Sequence, residues 1–228
     1  MRVISVIAHE SSVQLLGVVS NVIHTARDSR GVSSIFQLKA QEQKVIVVSE
    51  FGTISSMPIV GEIWRVTGQH KSDPTYGSQF KAEDSTKLRP DSNTPLRVLA
   101  DFLVYNHNFV GINSLWAKRL IRAFGCELFT ALSESSVDKL LRNSQLKMSK
   151  VMASNLLAGW RQLESQSVLD DFFKNKQLPS EIIETTRQLL GDNAVGLIEE
   201  NPYLLYPIMS VKAPNKTWKD LDVILTKQ

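Results

Sequence analysis

The spacing of apolar residues changes near Pro95, and this change constrains the fold more than any other feature of the sequence. Upstream of Pro95, apolar and polar residues alternate in short runs, which is the period of half-buried β-strands. Downstream, apolar residues recur at intervals of three and four, which is the period of amphipathic helices. The sequence therefore predicts a fold that is α+β by domain, with a strand-rich domain at residues 1–90 and an all-α domain at residues 91–228.

Five runs with strand character are separated by polar or glycine-containing turns in the first domain. We predict strands at residues 13–23, 32–40, 43–50, 61–68 and 80–88, with a connector at residues 51–60. Trp64 and Val66 share one face of the fourth run, which places the Trp64 side chain in the core. Five short strands favour a closed or nearly closed β-barrel of the OB type, and a β-sandwich is the alternative.

Ligands of OB-type barrels lie across one face, near the loop that joins the first two strands and the loop that joins the last two. In this sequence those loops are predicted at residues 25–31 and 69–79. Basic and aromatic side chains in such loops contact phosphates or stack on bases, although the same residue types also occur in solvated loops. The candidate nucleic-acid-binding residues of the barrel are Arg27, Arg30, His70, Lys71 and Tyr76.

The second domain is predicted to be a series of short helices. They are expected at residues 96–105, 114–124, 127–132, 136–143, 150–164, 167–174, 180–190 and 193–200, with a last helical stretch that begins near Trp218. Repetition of helix pairs at this length is typical of stacked hairpins that share one core. The sequence thus predicts an all-α array of helix-hairpin-helix elements.

The segment from Val110 to Ser114 has the form of a DNA-binding helix-hairpin-helix turn. A tight turn at Gly111 exposes backbone amides at the start of the next helix, and these amides bind phosphate oxygens without reading base sequence. Asn113 stands where a second glycine is usual, and asparagine tolerates a positive φ. The following helix adds positive charge from Lys118, Arg119 and Arg122.

A second, similar segment spans residues 146–150 and contains no glycine. Ser149 is a suitable cap for the following helix, and Lys150 is a candidate phosphate contact. Packing of the hairpin is the alternative explanation for this pattern. A third helix pair is joined at residues 175–180, where Pro179 and Ser180 are typical helix-start residues.

The composition limits the classes of function. A net charge of +3 and a pI near 8.9 are compatible with DNA binding and also with an ordinary basic surface. The chain has a single cysteine, Cys126, which allows no intrachain disulfide and no thiolate zinc site. This cysteine usage fits a cytoplasmic setting, and we expect Cys126 to be a packed thiol. Neither a signal peptide nor a membrane-spanning run is recognised.

Catalytic residues are not evident in the sequence. The four histidines have no ligand spacing, and the adjacent acidic pairs at residues 170–171 and 199–200 point apart on their predicted helices. The sequence accordingly predicts no catalytic residue, no metal site and no cofactor.

Several strings resemble a known family. Residues 61–68 and 73–81 are similar to the N-terminal barrel of RecD-like DNA helicases, the relatives of the RecD subunit that work without RecB and RecC. Residues 109–125 resemble the first helical hairpin of that family, and residues 199–205 and 218–222 resemble its last hairpin segment before the motor. The glycines of the later hairpins are not retained.

In that family, two RecA-like motor domains follow, and they hydrolyse ATP while moving 5′ to 3′ on single-stranded DNA. The chain contains no Gly-x-x-x-x-Gly-Lys-Ser/Thr phosphate loop, so ATP hydrolysis is not expected of it. It ends within a predicted helix, and we expect a fragment of a longer protein, with a natural motor-less protein as the other possibility.

The resemblance implies a non-catalytic region that guides single-stranded or forked DNA by backbone contacts, without sequence specificity, in DNA repair or recombination. The partners implied are DNA and the helicase motor domains of the same parent chain, with no membrane. The alternative is a docking module that scaffolds a helicase motor or another DNA repair or defence protein.

Overall fold

The computed structural model describes residues 12–54, 56–75, 77–134, 136–143, 146–174 and 180–212. The described residues form two compact units, one up to Leu156 and one from Leu157 onward. The change from strands to helices lies within the first unit. A domain boundary at residues 90–91 therefore stays a prediction.

A closed five-stranded barrel forms the beginning of the first unit. Its strands are β1 (Val13–Asp28), β2 (Gly31–Ala40), β3 (Gln43–Ile54), β4 (Ile63–Asp73) and β5 (Gly77–Leu88). They are hydrogen-bonded in the order β1-β2-β3-β5-β4, and β4 closes the barrel on β1. The β3–β5 pair is parallel, and the other pairs are antiparallel. The predicted OB-like barrel is thus confirmed, and the sandwich alternative is wrong.

The barrel core follows from the alternation in the sequence. Every second residue of β2 is buried, including Phe36 and Leu38. Trp64 is fully buried as predicted, its ring centroid lies 6.1 Å from that of Phe36, and its Nε1 donates to Glu62 Oε2 at 3.0 Å. Burial of these aromatic rings contributes to the stability of the closed barrel.

The strands extend further than the sequence pattern predicted. The residues assigned to the two binding loops, 25–31 and 69–79, lie mostly in strands, and only short turns remain between β1 and β2 and between β4 and β5. The ladders continue because Arg27 pairs with Val32 and Lys71 with Gln79. Several side chains at these strand ends are exposed, so the alternation that marks a half-buried strand is lost there.

Two helices, α1 (Leu96–Tyr105) and α2 (Ser114–Phe124), follow the barrel and match the predicted bounds. The chain after α1 lies against the connector before β4. Gly61 has φ +90°, and a Cβ placed on it would lie 2.4 Å from Asn106 Cα. Asn106 Nδ2 also donates to the Gly61 carbonyl at 3.4 Å. This close backbone contact attaches the α1–α2 segment to the barrel.

The remaining helices are α3 (Leu128–Ser133), α4 (Val137–Arg142), α5 (Lys150–Lys174), α6 (Ser180–Leu190), α7 (Ala194–Glu200) and α8 (Leu205–Lys212). The prediction of separate helices at 150–164 and 167–174 is wrong, because α5 is continuous. Its predicted break, around Ser165, contains neither proline nor glycine to interrupt the helix. The helix α8 was not predicted.

Cys126 is exposed, which corrects the prediction of a packed thiol. It lies in a 3-10 turn, Gly125–Glu127, that follows α2 and directs the cysteine outward, while the next apolar residue, Leu128, is buried. The apolar neighbours of Cys126 in sequence therefore do not surround it in space.

The second unit has its own core, built from α5, α6, α7 and α8. Its buried members include Phe173, Ile182, Ile198 and Leu205. The junction at residues 175–179 and the helical stretch from Trp218 lie outside the described residues. Within the described ranges, no helix has the length and apolar character needed to cross a membrane.

Candidate nucleic-acid interface

The turn before α2 presents the start of this helix to solvent. Gly111 adopts φ +87°, and a Cβ built on it would meet nothing within 4 Å. Asn113 does not adopt the positive φ that we expected. It is extended, with φ −99°, and its Oδ1 accepts a hydrogen bond from the Trp116 amide at 3.0 Å. Because one left-handed residue completes the turn, Asn113 is used as the helix cap instead.

Buried residues hold this turn in place from the inside. Ile112 and Ala117 are 5% and 1% exposed, whereas Val110 and Leu115 are 69% and 57% exposed. The Asn113 cap binds only the third amide of α2. Helix geometry leaves the amides of Ser114 and Leu115 without an intrahelical acceptor, so they are available to an anion.

The stretch of sequence that contains this turn is basic. Lys118, Arg119 and Arg122 are exposed on α2, and no aspartate or glutamate occurs between Asp101 and Glu127. The Arg119 guanidinium lies over the Trp116 ring, with its carbon 5.0 Å from the ring centroid. A polyanion that approaches the start of α2 therefore meets several cations of α2, of which Lys118 also interacts with the Asp101 carboxyl on α1.

The turn before α5 has a similar arrangement, although it contains no glycine. Lys147 adopts φ +45°, and the Ser149 hydroxyl accepts from the Met152 amide at 3.2 Å. The predicted Ser149 cap is thereby confirmed. Met148 and Ala153 are buried, as their counterparts are in the first turn.

The two turns correspond position by position. Equivalent residues of the two turns are separated by the same number of positions in the sequence. The left-handed residues are Gly111 and Lys147, the capping residues are Asn113 and Ser149, and the buried alanines are Ala117 and Ala153. Lys147 and Lys150 are exposed, and no carboxylate occurs between Asp138 and Glu164. The second turn therefore has left-handed, capping and buried residues at the same relative positions as the first, and it too lies in a basic stretch of sequence. The assignment of either turn as a helix-hairpin-helix element stays a prediction.

The barrel candidates lie on its strand ends and turns. Arg27 is exposed on β1, Lys71 is exposed on β4, and Arg30 lies in the β1–β2 turn. His70 is also on β4, and its ring contacts Phe80 edge-on, with centroids 5.0 Å apart. Tyr76 lies outside the described residues.

Acidic partners accompany several barrel cations. Arg30 Nη2 lies 2.7 Å from Asp28 Oδ2, and the side-chain hydrogen bond from Arg30 lowers the pKa of the Asp28 carboxyl. Lys81 Nζ lies 2.6 Å from Glu50 Oε1; this bond lowers the pKa of Glu50, and the charge of Lys71 lowers it further. The barrel thus presents a surface of mixed charge.

One residue of this surface, Phe51, was missed by sequence reasoning because it was assigned to a connector. It is half-buried in β3, and the Arg30 guanidinium carbon lies 4.2 Å from its ring centroid. The signal in the sequence is the Phe51-Gly52 pair directly after a strand pattern, since a glycine there often marks a β-bulge. The structure brings Arg30 and Phe51 together, and it brings Lys71 near Glu50.

The described part of the chain contains no group of three or more His, Cys, Asp or Glu side chains placed to hold a metal ion. The turns before α2 and α5 present backbone amides and cations, and the half-buried rings of Phe51 and Trp116 lie beside arginine side chains. Such groups bind a polyanion that carries planar bases.

The comparison with known families agrees with the barrel geometry. Residues 12–90 match the family model described as the OB-fold domain of the ATP-dependent DNA helicase YrrC. The match ends before α1, so it covers the barrel and not the helical part. No curated protein matches the chain. Residues 12–90 are therefore an OB-fold domain similar to that of YrrC-type ATP-dependent DNA helicases.

Proposed function

We propose that this chain is a non-catalytic, DNA-binding N-terminal region of a RecD-like 5′–3′ DNA helicase. In this proposal, the barrel and the helix-hairpin-helix turns guide single-stranded or forked DNA to or from the motor domains of the same parent chain. The contacts are made to the DNA backbone and to base faces, so binding has little sequence preference.

The observation that carries the proposal is the repeated turn at the starts of α2 and α5. Both turns present first-turn amides to solvent, and both lie in stretches of sequence that contain lysine and arginine but no carboxylate. Amides at a helix start bind phosphate oxygens, and nearby cations strengthen the attraction. The OB-fold match to a DNA helicase family supports the same conclusion independently.

Each candidate residue has a defined role in this proposal. Gly111 and Asn113 shape the first turn, and Ser114 supplies a backbone amide to phosphate. Cations on the helices and strands neutralise neighbouring phosphates, and Tyr76 adds an aromatic face. The proposed phosphate contacts are Arg27, Lys71, Lys118, Arg119, Arg122 and Lys150, whereas Arg30, which is paired with Asp28, contacts a base face.

The proposal is tested by fluorescence anisotropy of labelled single-stranded, forked and duplex DNA at several salt concentrations. On single-stranded DNA, each phosphate contact contributes about 0.7 to the slope of log affinity against log salt. The Lys118→Ala/Arg122→Ala variant should reduce this slope by about 1.4 if both contacts are lost. Lys44→Ala, at an exposed lysine beside the β2–β3 turn, is the matched control and should leave the slope unchanged. Salt-independent binding, or an unchanged slope in the double variant, would refute the proposed contacts.

One observation favours the docking alternative. The segment between β3 and β4 exposes Met57, Ile59 and Val60, which are 38%, 56% and 37% exposed. Under this alternative, a separately produced helicase motor region binds the wild-type chain but not an Ile59→Ser variant in isothermal titration calorimetry. Equal binding by the two chains would exclude this segment as the docking surface.

A further inference from the structure

The strand β3 contains a bulge beside the turn that joins β1 and β2. Regular pairing with both neighbouring strands is interrupted between Ser49 and Ile54. Thr53 Oγ1 donates to the Glu50 carbonyl at 2.8 Å and is hydrogen-bonded to the Ser49 hydroxyl, with the two oxygens 3.0 Å apart, so a side chain within the bulge fixes its shape. Bulges of this kind redirect side chains and are common near binding sites.

Two glycines pack the β1–β2 turn directly against this bulge. Gly31 has φ +118° and Gly52 has φ +85°, so both positions favour glycine. A Cβ on Gly31 would lie 3.1 Å from the Gly52 nitrogen, and a Cβ on Gly52 would lie 3.4 Å from the Arg30 carbonyl oxygen. The backbone itself therefore brings Arg30 next to Phe51.

The Arg30 guanidinium is held over the Phe51 ring, 4.2 Å from its centroid. Its Nε and Nη2 donate to Asp28 Oδ2 at 3.0 Å and 2.7 Å, and the Arg30 amide donates to Asp28 Oδ1 at 2.8 Å. The amide bond positions the Asp28 carboxylate, and the two side-chain bonds orient the guanidinium against it. The side chain is nevertheless 69% exposed, so the face directed away from Phe51 is open to solvent.

We propose that this outer face of Arg30, backed by Phe51, is a stacking site for an unpaired nucleobase, an inference that rests on the proposed DNA-binding function. The charge of Arg30 is already compensated by Asp28, which makes it a weak phosphate ligand. Its planar, delocalised guanidinium remains a good surface for a base, because every base has a π-face. In a duplex those faces are covered by neighbouring base pairs, so the site selects single strands.

The test uses single-stranded thymidine oligonucleotides with one 2-aminopurine at successive positions, titrated with the full chain. Stacking quenches 2-aminopurine, so wild-type binding should quench the probe at one or a few positions. Arg30→Ala and Phe51→Leu should remove this quenching and lower affinity about 5-fold or more. Arg30→Lys keeps the positive charge but removes the planar guanidinium, so quenching and affinity should fall as they do in Arg30→Ala. The control is Arg65→Ala, at an exposed arginine on β4, and this variant should quench 2-aminopurine as strongly as the wild-type chain does.

Two results separate failure of this inference from failure of the proposed function. Quenching and affinity at wild-type level in Arg30→Lys would overturn the stacking site and leave DNA binding intact. Absence of any binding by the wild-type chain at low salt would refute the DNA-binding function, and the stacking site with it. The salt slope provides a further check, because Lys71→Ala should change it and Arg30→Ala should not.

Discussion

Gly61 and Gly111 form a matched pair for testing the contact between the barrel and the helices that follow it. Their φ values, +90° and +87°, are nearly the same, so alanine meets a similar backbone strain at both. Their surroundings differ. A Cβ on Gly61 would lie 2.4 Å from Asn106 Cα and 2.9 Å from the Tyr105 carbonyl oxygen, whereas a Cβ on Gly111 meets nothing within 4 Å.

The expected losses of stability follow from these distances. A left-handed alanine costs about 1–2 kcal/mol, offset by about 0.4–1 kcal/mol because alanine reduces the freedom of the unfolded chain. Gly111→Ala should therefore lower the free energy of unfolding by about 1 kcal/mol. Gly61→Ala adds overpacking against backbone atoms, which costs about 1–3 kcal/mol, for a total of about 2–4 kcal/mol.

The assay is urea denaturation, monitored by pulsed hydrogen exchange with mass spectrometry. This measurement follows the unfolding of barrel peptides separately from that of residues 157–212. Gly61→Ala should lower the urea midpoint of the barrel peptides much more than Gly111→Ala does. Equal losses in the two variants would show that the backbone at Asn106 moves away at little cost, and the rigid attachment of the α1–α2 segment to the barrel would be refuted.

Three further predictions concern single side chains. Asn113→Ala removes the α2 cap and should lower the free energy of unfolding by about 1 kcal/mol in urea denaturation. Asn113→Asp should keep the cap and the stability, and equal losses in the two variants would exclude capping. Trp64→Ala should cost about 3–5 kcal/mol by the same measurement, and a loss below about 1 kcal/mol would contradict its core position. Burial raises the pKa of Asp101, so its charged form disfavours the folded state and Asp101→Asn should raise the melting temperature at pH 7. This gain in melting temperature should disappear as the pH falls through the raised pKa of Asp101 in the folded state toward its pKa in the unfolded state. A gain that does not depend on pH would exclude the carboxylate as its cause.

The barrel and the first two helices could be predicted because their sequences carry a clear period. β2 alternates buried and partly exposed residues along its whole length, and α1 and α2 carry apolar stripes at helical spacing. The ends of β1 and β4 could not be predicted, since their side chains have no regular alternation of burial and only the hydrogen-bonded ladder keeps them extended.

The role of a site residue could be predicted where that role depends on the local sequence. It could not be predicted where the role depends on tertiary packing. Gly111 and Ser149 are recognisable from residue type. The left-handed conformation of Lys147 is not, because lysine rarely adopts it, so the likeness of the second turn to the first is visible only in the fold. The contact of Arg30 with Phe51 depends on a bulge and two facing glycines that are far apart in sequence.

We propose that the barrel and the turns before α2 and α5 contact the same DNA. Hydrogen exchange of the full chain, with and without forked DNA at low salt, tests it most directly. We expect from this proposal slower exchange in three places: the β1–β2 turn with residues 49–54, the start of α2 and the start of α5. Unchanged exchange at all three, or protection confined to residues 180–212, would contradict it.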